Sequence, residues 1–240
     1  MPIGFLWVVV MSYSVFDVYA ERYDSWYARN RFAAESEVLV LRELSIRRPA
    51  LEVGVGTGFF SSRLGVEFGV DPSARMLAKA VCRGVECTRG VGEHLPFRSS
   101  CFRTVLFIVT VCFMEDPLKG FMEAHRVLRD DGVLIACIVP SSSPWGRLYR
   151  QKAAAGHPIY RAARFYKVSK VVAMASKAGF TIKRVIATLK TPPPANHVEE
   201  PKVVSVNEAE EYGFSCIEAH KNPTTTKQQT TKQLLSQLQK

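Results

Sequence analysis

Residues 50–58 read Ala-Leu-Glu-Val-Gly-Val-Gly-Thr-Gly, and Asp71 follows seventeen residues after Gly54. These residue types at this spacing suit the holding of a nucleoside. Glycine has no Cβ, so a Gly-x-Gly-x-Gly turn lets the backbone bend tightly and lie against a ligand. An acid at the end of the next strand can accept hydrogen bonds from both hydroxyls of a ribose. The dinucleotide fingerprint Gly-x-Gly-x-x-Gly does not fit, because its third glycine, counted from Gly54, falls on Phe59. No Gly-x-x-x-x-Gly-Lys-Ser/Thr occurs, so nothing suggests a triphosphate loop. A nucleoside with a small zwitterionic tail remains. Taken alone, the turn is equally an ordinary tight turn, and the residues downstream must decide.

The elements that would carry these residues alternate between strand and helix. Strands are expected at 50–54, 66–70, 85–88, 104–110 and 133–139. A short helix spans 59–64, and Pro72 fits the first turn of a helix running to Ala80, where no N–H is needed. Another helix, 118–129, follows Pro117 and ends at the Asp-Asp-Gly turn 130–132. The 104–110 run is continuously β-branched and aromatic, as in strands buried on both faces. Beyond it come an aromatic, loop-rich segment 140–168, a helix 169–178 ending at Gly179, and a strand 180–189. A proline-rich loop from Thr191 to about 211 precedes a last strand, 213–219. This pattern predicts a Rossmann-like α/β fold with a seven-stranded, mostly parallel sheet and helices on both faces.

Five ordered segments resemble the class I S-adenosylmethionine (AdoMet) methyltransferases, in their small-molecule, ubiquinone-biosynthesis-like branch. Residues 51–58 resemble the first motif and Gly-Val-Asp-Pro-Ser-Ala-Arg-Met-Leu (69–77) the second. Residues 90–97 and 101–107 resemble the third and fourth, and 123–134 the helix and fifth strand. The resemblance runs from about 50 to 140, and the chain ends match more loosely. It implies AdoMet as cofactor, with Glu52 orienting the methionine ammonium and Gly54, Gly56 and Gly58 admitting the backbone to it. Asp71 would take the ribose, Pro72 and Met76 would pack on the adenine, and Thr110 and Val111 would line the methionine end. The third motif departs from the family's usual Gly-Asp-Ala-Glu: here Gly90-Val91-Gly92-Glu93 stands, and Val91 accepts no side-chain hydrogen bond. The adenine is then left to Gly92, apolar contacts or Glu93. Two plainer readings stand beside these roles: Glu52 as a strand acid capping backbone N–H groups, and Asp71 as the N-cap of the following helix.

No catalytic residue is assigned. Methyl transfer is an in-line displacement from a sulfonium, so an enzyme mainly aligns the partners and excludes water. A base is needed only where the acceptor loses a proton. Thr110-Val111-Cys112-Phe113 stands where exocyclic-amine methylases of nucleic-acid bases carry Asn/Asp-Pro-Pro-Tyr/Phe, and no Pro-Cys dipeptide suggests a cytosine nucleophile. Tyr27, Tyr149, His157 and Tyr160 are candidates for the acceptor pocket, with His157 the candidate base. Phe16, Tyr19, Tyr23, Trp26 and Tyr27 recur at helical spacing within 14–45, as a packing face or a lid. The Tyr-Asp-x-Trp-Tyr at 23–27 resembles a segment of related methyltransferases and so favours a lid that also packs. Aromatic walls suit an apolar or a cationic acceptor, or are simply core.

The expected domains are an N-terminal extension and helical lid (1–45), a methyltransferase domain (46–220) with a substrate cap at 140–168, and a basic, disordered tail (221–240). The apolar run 2–11 reads as a packed extension and is too short to span a bilayer. The net charge is +10, of which four lysines in the acid-free tail supply four, leaving +6 on the first 220 residues. That charge gives weak support for nucleic acid as a partner, since no compact basic run occurs. Six cysteines without a Cys-x-x-Cys argue against zinc or redox motifs and read as buried free thiols of a cytoplasmic protein. No metal site is expected. The predicted function is methyl transfer to oxygen, nitrogen or carbon of a small molecule. An RNA or protein methyltransferase, or a non-enzymatic AdoMet-binding module, are the alternatives.

Overall fold

A computed structural model describes residues 4–222, with side chains from Val15 onward. Two helices open it, α1 (Gly4–Arg29) and α2 (Arg31–Arg42). Then follow β1 (Ala50–Val53), α3 (Phe59–Leu64), β2 (Phe68–Asp71), α4 (Ala74–Cys82) and β3 (Glu86–Arg89). Next are β4 (Phe102–Ile108), α5 (Pro117–Val127), β5 (Leu128–Ile138), α6 (Pro144–Ala154), α7 (Pro158–Ala162) and α8 (Val168–Lys177). The chain closes with β6 (Phe180–Thr188), β7 (Lys202–Val204), α9 (Val206–Ala209) and β8 (Phe214–Lys221). The side chains of the apolar run 2–11 and the tail from 223 lie outside the described residues.

The strands form one sheet in the order β3-β2-β1-β4-β5-β8-β6-β7. The first five pair in parallel; β8, β6 and β7 join antiparallel. The fold is the expected Rossmann-like one, with eight strands instead of seven. The extra strand, β7, lies at the sheet edge inside the segment 191–211 expected to be loop, and only three residues long it carries little sequence signal. Order reverses about β1, so the crevice beyond the carboxyl ends of β1 and β4 is where such sheets bind ligands.

Strand alternation builds two core layers. Val105 and Phe107 of β4 pack with Leu51, Val53 and Phe121 on one face, over α5 and α8. Leu106 and Ile108 face the other way and pack with Leu41 of α2 and Trp145 and Tyr149 of α6.

Four further expectations need correction. Pro72 precedes α4; its N-cap is Ser73, whose hydroxyl accepts from the Met76 N–H at 3.2 Å. The helix expected to reach 129 ends at Val127, and Asp130-Asp131-Gly132 lies within β5, where the register against β4 shifts between Phe102 and Thr104. An irregular strand and a turn share this sequence signal. β8 runs through Lys221, whose Nζ is buried and donates to the Leu128 carbonyl at 2.7 Å, so the tail begins after it. Cys137 and Cys216 face each other across β5 and β8 and are joined in a disulfide. Of the four free cysteines only Cys112 is buried; Cys82 is exposed, Cys87 and Cys101 half-buried. Strand pairing across 79 residues decides the disulfide, and no local spacing reveals it.

Candidate active site

The glycine turn leaves β1 at Gly54, whose N–H donates to the Val70 carbonyl of β2 at 2.7 Å. Gly54 has φ +71, and a Cβ there would lie 2.4 Å from Thr110 Cγ2 and 2.5 Å from Thr110 Oγ1. Both γ atoms obstruct it, so rotating Thr110 does not make room. Asp71, at the end of β2, is buried and receives two backbone N–H groups. Gly56 N donates to Oδ2 at 3.0 Å and Ser73 N to Oδ1 at 2.9 Å. Burial raises its carboxyl to about 6, against the lowering by these two bonds. Asp71 thus fastens the glycine turn to the start of α4 and keeps further lone pairs on each oxygen. It is not the helix cap.

Gly54, Gly56, Asp71, Pro72, Met76, Gly92, Glu93 and Thr110 line one cleft, with Val91 among them. Glu52, Gly58 and Val111 do not. Glu52 points beneath the turn, 2% exposed, and accepts from the Ser61 hydroxyl; burial pushes it up to about 8. Gly58 closes on α4, where an added Cβ would lie 3.0 Å from Ala80 Cα. Val111 is fully buried in a short turn, Val111–Phe113, because β4 stops at Ile108. Glu93 is committed to the backbone: its Oε1 accepts from Glu115 N at 2.9 Å and Asp116 N at 3.3 Å.

α1 roofs this cleft through two stripes at helical spacing. Phe16 stands edge-on to Phe113 at 4.9 Å, and Tyr27 stacks on Phe59 at 3.7 Å, while Phe16 and Tyr23 face the cleft. Acids on an adjoining stripe clamp the helix to α4. Asp17 accepts from Ser73 Oγ at 2.6 Å, and Lys79 donates to Glu21 at 2.9 Å. Asp24 takes Arg83 and Thr57, each at 2.6 Å. Sequence reasoning followed the aromatic stripe and passed over the acids at 17, 21 and 24, whose spacing marks a second face.

Tyr27, Tyr149, His157 and Tyr160 are brought together around a second cavity of about 400 Å³. Tyr149 stacks on Tyr160 at 4.5 Å, and the His157 ring lies 4.5 Å from Tyr160. Burial raises the phenols of Tyr23, Tyr27, Tyr149 and Tyr160, so each keeps its proton near neutrality. His157 is exposed, and desolvation with Lys152 nearby lowers its pKa. The cavity adjoins the cleft, since Tyr23, Val109 and Phe113 line both. Glu37 of α2 also lines it and was not singled out by the sequence. One of two neighbouring helix acids, Glu35 and Glu37, gives no signal until its surroundings are known.

Residues 51–136 match the methyltransferase-domain family model. A solved Thermotoga maritima structure, described as a SAM-dependent methyltransferase and possible histamine N-methyltransferase, superposes with a TM-score of 0.82. It is 32% identical and covers 88% of this chain and 100% of its own. The chain belongs to the class I AdoMet-dependent methyltransferases. An uncharacterized Methanocaldococcus jannaschii relative is 34% identical over 209 residues, 87% of this chain and 99% of its own. An uncharacterized Mycobacterium tuberculosis protein is 42% identical over 178 residues, 72% of this chain; the match spans 62% of that relative's length.

The cofactor of this family is AdoMet, and the cleft of this methyltransferase fits it chemically. Side-chain-free backbone lies at Gly54 and Gly56, a carboxylate at Asp71, and apolar surface at Pro72, Met76 and Val91. Its volume is about 70 Å³. Ligand pockets usually start near roughly 300 Å³. Phe16 and Tyr23 of α1 line the cleft, so α1 bounds the space a nucleoside would take. No group of metal-ligating side chains occurs among the described residues, and no described helix is long and apolar enough to cross a membrane.

Proposed function

We propose that the protein transfers the methyl group of AdoMet to an oxygen, nitrogen or carbon of a small molecule held in the aromatic cavity. The observation that carries this is the shared wall: Tyr23, Val109 and Phe113 border both the cleft and the 400 Å³ cavity. A donor on one side and an acceptor on the other then meet without crossing solvent. Bound in the cleft, the cofactor supplies a methyl group on a sulfonium, an electrophile with a ready leaving group.

In this reading Asp71 accepts the ribose hydroxyls with the lone pairs left by Gly56 and Ser73. Pro72, Met76 and Val91 hold the adenine by apolar contact, and Gly54 and Thr110 flank the methionine end. Glu52, joined to Ser61, supports the turn from below. The lid, 1–45, and the cap, 140–168, exclude water and align the acceptor, the main demand of the displacement. A cavity of this size suits a small molecule better than RNA or a protein surface. The histamine named for the Thermotoga relative is of a size that fits.

Calorimetry with AdoMet and S-adenosylhomocysteine tests the reading, which is falsified if neither binds. Action in the cytoplasm is part of the proposal; the free thiols Cys82, Cys87, Cys101 and Cys112 support it, and the Cys137–Cys216 disulfide weighs against it. Thiol counting on protein taken from that compartment is expected to find these four free.

A further inference from the structure

Glu37 is 5% exposed on α2 and lines the aromatic cavity. The other buried acids around the site have partners. Glu52 has Ser61, Asp71 has two backbone N–H groups, and Glu93 has those of Glu115 and Asp116. Glu37 has no hydrogen bond or ion pair among the described residues; burial alone acts on it, raising its carboxyl to about 8. A buried carboxyl left without a partner is costly, and the cost is largest for the ionised form.

The surroundings indicate what would relieve it. Tyr23, Tyr27, Tyr149 and Tyr160 line the same cavity as Glu37. Trp26 completes the wall. Aromatic faces present negative charge density and attract cations, most strongly where water is excluded. A carboxylate ringed by such faces is complementary to a positive nitrogen. With a neutral acceptor Glu37 keeps its proton near neutrality, its carboxyl being raised to about 8; a cation favours loss of that proton and pairs with the carboxylate, which an anion does not. The cations that line the cavity, Arg22 and Arg29, are exposed at its mouth; His157 is exposed there too.

Resting on the methyltransferase reading above, the geometry points to an organic amine as the acceptor, its nitrogen entering protonated and seated between Glu37 and the tyrosine and tryptophan faces. Where that nitrogen takes the methyl group, its proton first passes to the Glu37 carboxylate, and the freed lone pair forms the N–CH3 bond as the S–CH3 bond breaks. Glu37 is then the specificity-determining residue of the acceptor cavity.

The test is titration of the full chain, saturated with S-adenosylhomocysteine, with phenyltrimethylammonium and its neutral carbon isostere tert-butylbenzene. The two share shape and differ in charge, and the permanent cation does not titrate. The cation is expected to bind at least about tenfold tighter than the isostere. Glu37→Gln, nearly isosteric and unable to ionise, is expected to erase that preference while leaving S-adenosylhomocysteine affinity unchanged. Equal binding of the two probes by the native chain overturns the proposal without any variant. So does an unchanged preference in Glu37→Gln. Weaker S-adenosylhomocysteine binding by Glu37→Gln also overturns it, because the carboxylate would then serve the donor's own ammonium. Should S-adenosylhomocysteine fail to bind the native chain, the methyltransferase reading fails, whereas the cation preference can still be measured alone.

Discussion

The glycine-turn cleft and the aromatic-walled cavity sit side by side yet are built differently. The cleft comes mainly from four short segments, 53–56, 71–76, 90–93 and 108–114, at the ends of the neighbouring parallel strands β1, β2, β3 and β4. Backbone does most of its work, through Gly54 N on Val70 and Gly56 N on Asp71. The cavity gathers side chains from α1, α2, α6, α7 and the residue after β4. About half of its lining is aromatic, and its one buried acid, Glu37, has no hydrogen bond or ion pair among the described residues. A backbone-built site is dictated by the fold and tolerates little change. A side-chain-built site can vary while the scaffold stays fixed, which suits a shared cofactor and a particular acceptor.

This contrast breaks most sharply at Gly54. Gly54→Val places a Cβ 2.4 Å from Thr110 at φ +71. The left-handed backbone and the clash together should cost about 2 to 5 kcal/mol. Thermal unfolding is expected to show the loss, and calorimetry the disappearance of cofactor binding. A variant that melts and binds normally would mean the turn is not the rigid part of the cleft.

Asp71→Ala comes next. Removing a charged hydrogen-bond acceptor costs about 1.5 to 3 kcal/mol, so S-adenosylhomocysteine should bind roughly ten- to hundredfold more weakly. Binding of a cation probe in the cavity is expected to persist, and parallel loss of both would show that the two sites are one unit.

The pH profile sharpens the same point. Asp71 has its carboxyl raised by burial from the ordinary aspartate range to about 6. Its ionised form is the one that accepts both ribose hydroxyls without competition from its own proton. Cofactor affinity is therefore expected to fall as pH drops below about 6, approaching about tenfold per pH unit, and to level off above it. For stability the sign is opposite. A raised acid binds its proton more tightly in the folded state, so its contribution is present at low pH and is lost as pH rises from near 4 through 6. A flat binding profile across this window would remove Asp71 from the ribose.

The smallest effect is expected at the clamp. Arg83→Ala frees Asp24 and loosens α1 from α4, a partly exposed pair worth about 1 kcal/mol or less. A few-fold faster association of S-adenosylhomocysteine in stopped flow is expected, because α1 roofs the cleft. Unchanged kinetics would show that the nucleoside enters without α1 moving.

The sequence by itself determined the sheet, the glycine turn and the acid beyond it. Strand alternation, Gly54 and Asp71 are local, and their meaning depends on spacing along the chain. It also identified Tyr27, Tyr149, His157 and Tyr160 as pocket candidates, though not what they surround. Only the tertiary structure decided that Glu52 and Val111 lie outside the cleft, since both sides of a buried strand or turn read alike in sequence. It decided that Cys137 meets Cys216, a consequence of β8 inserting beside β5. It placed Glu37, an ordinary helix acid by composition, among aromatic rings from distant segments. The physical reason is common to these cases: burial and partners are set by elements far apart in the chain, and they alone fix what a charged or thiol side chain can do.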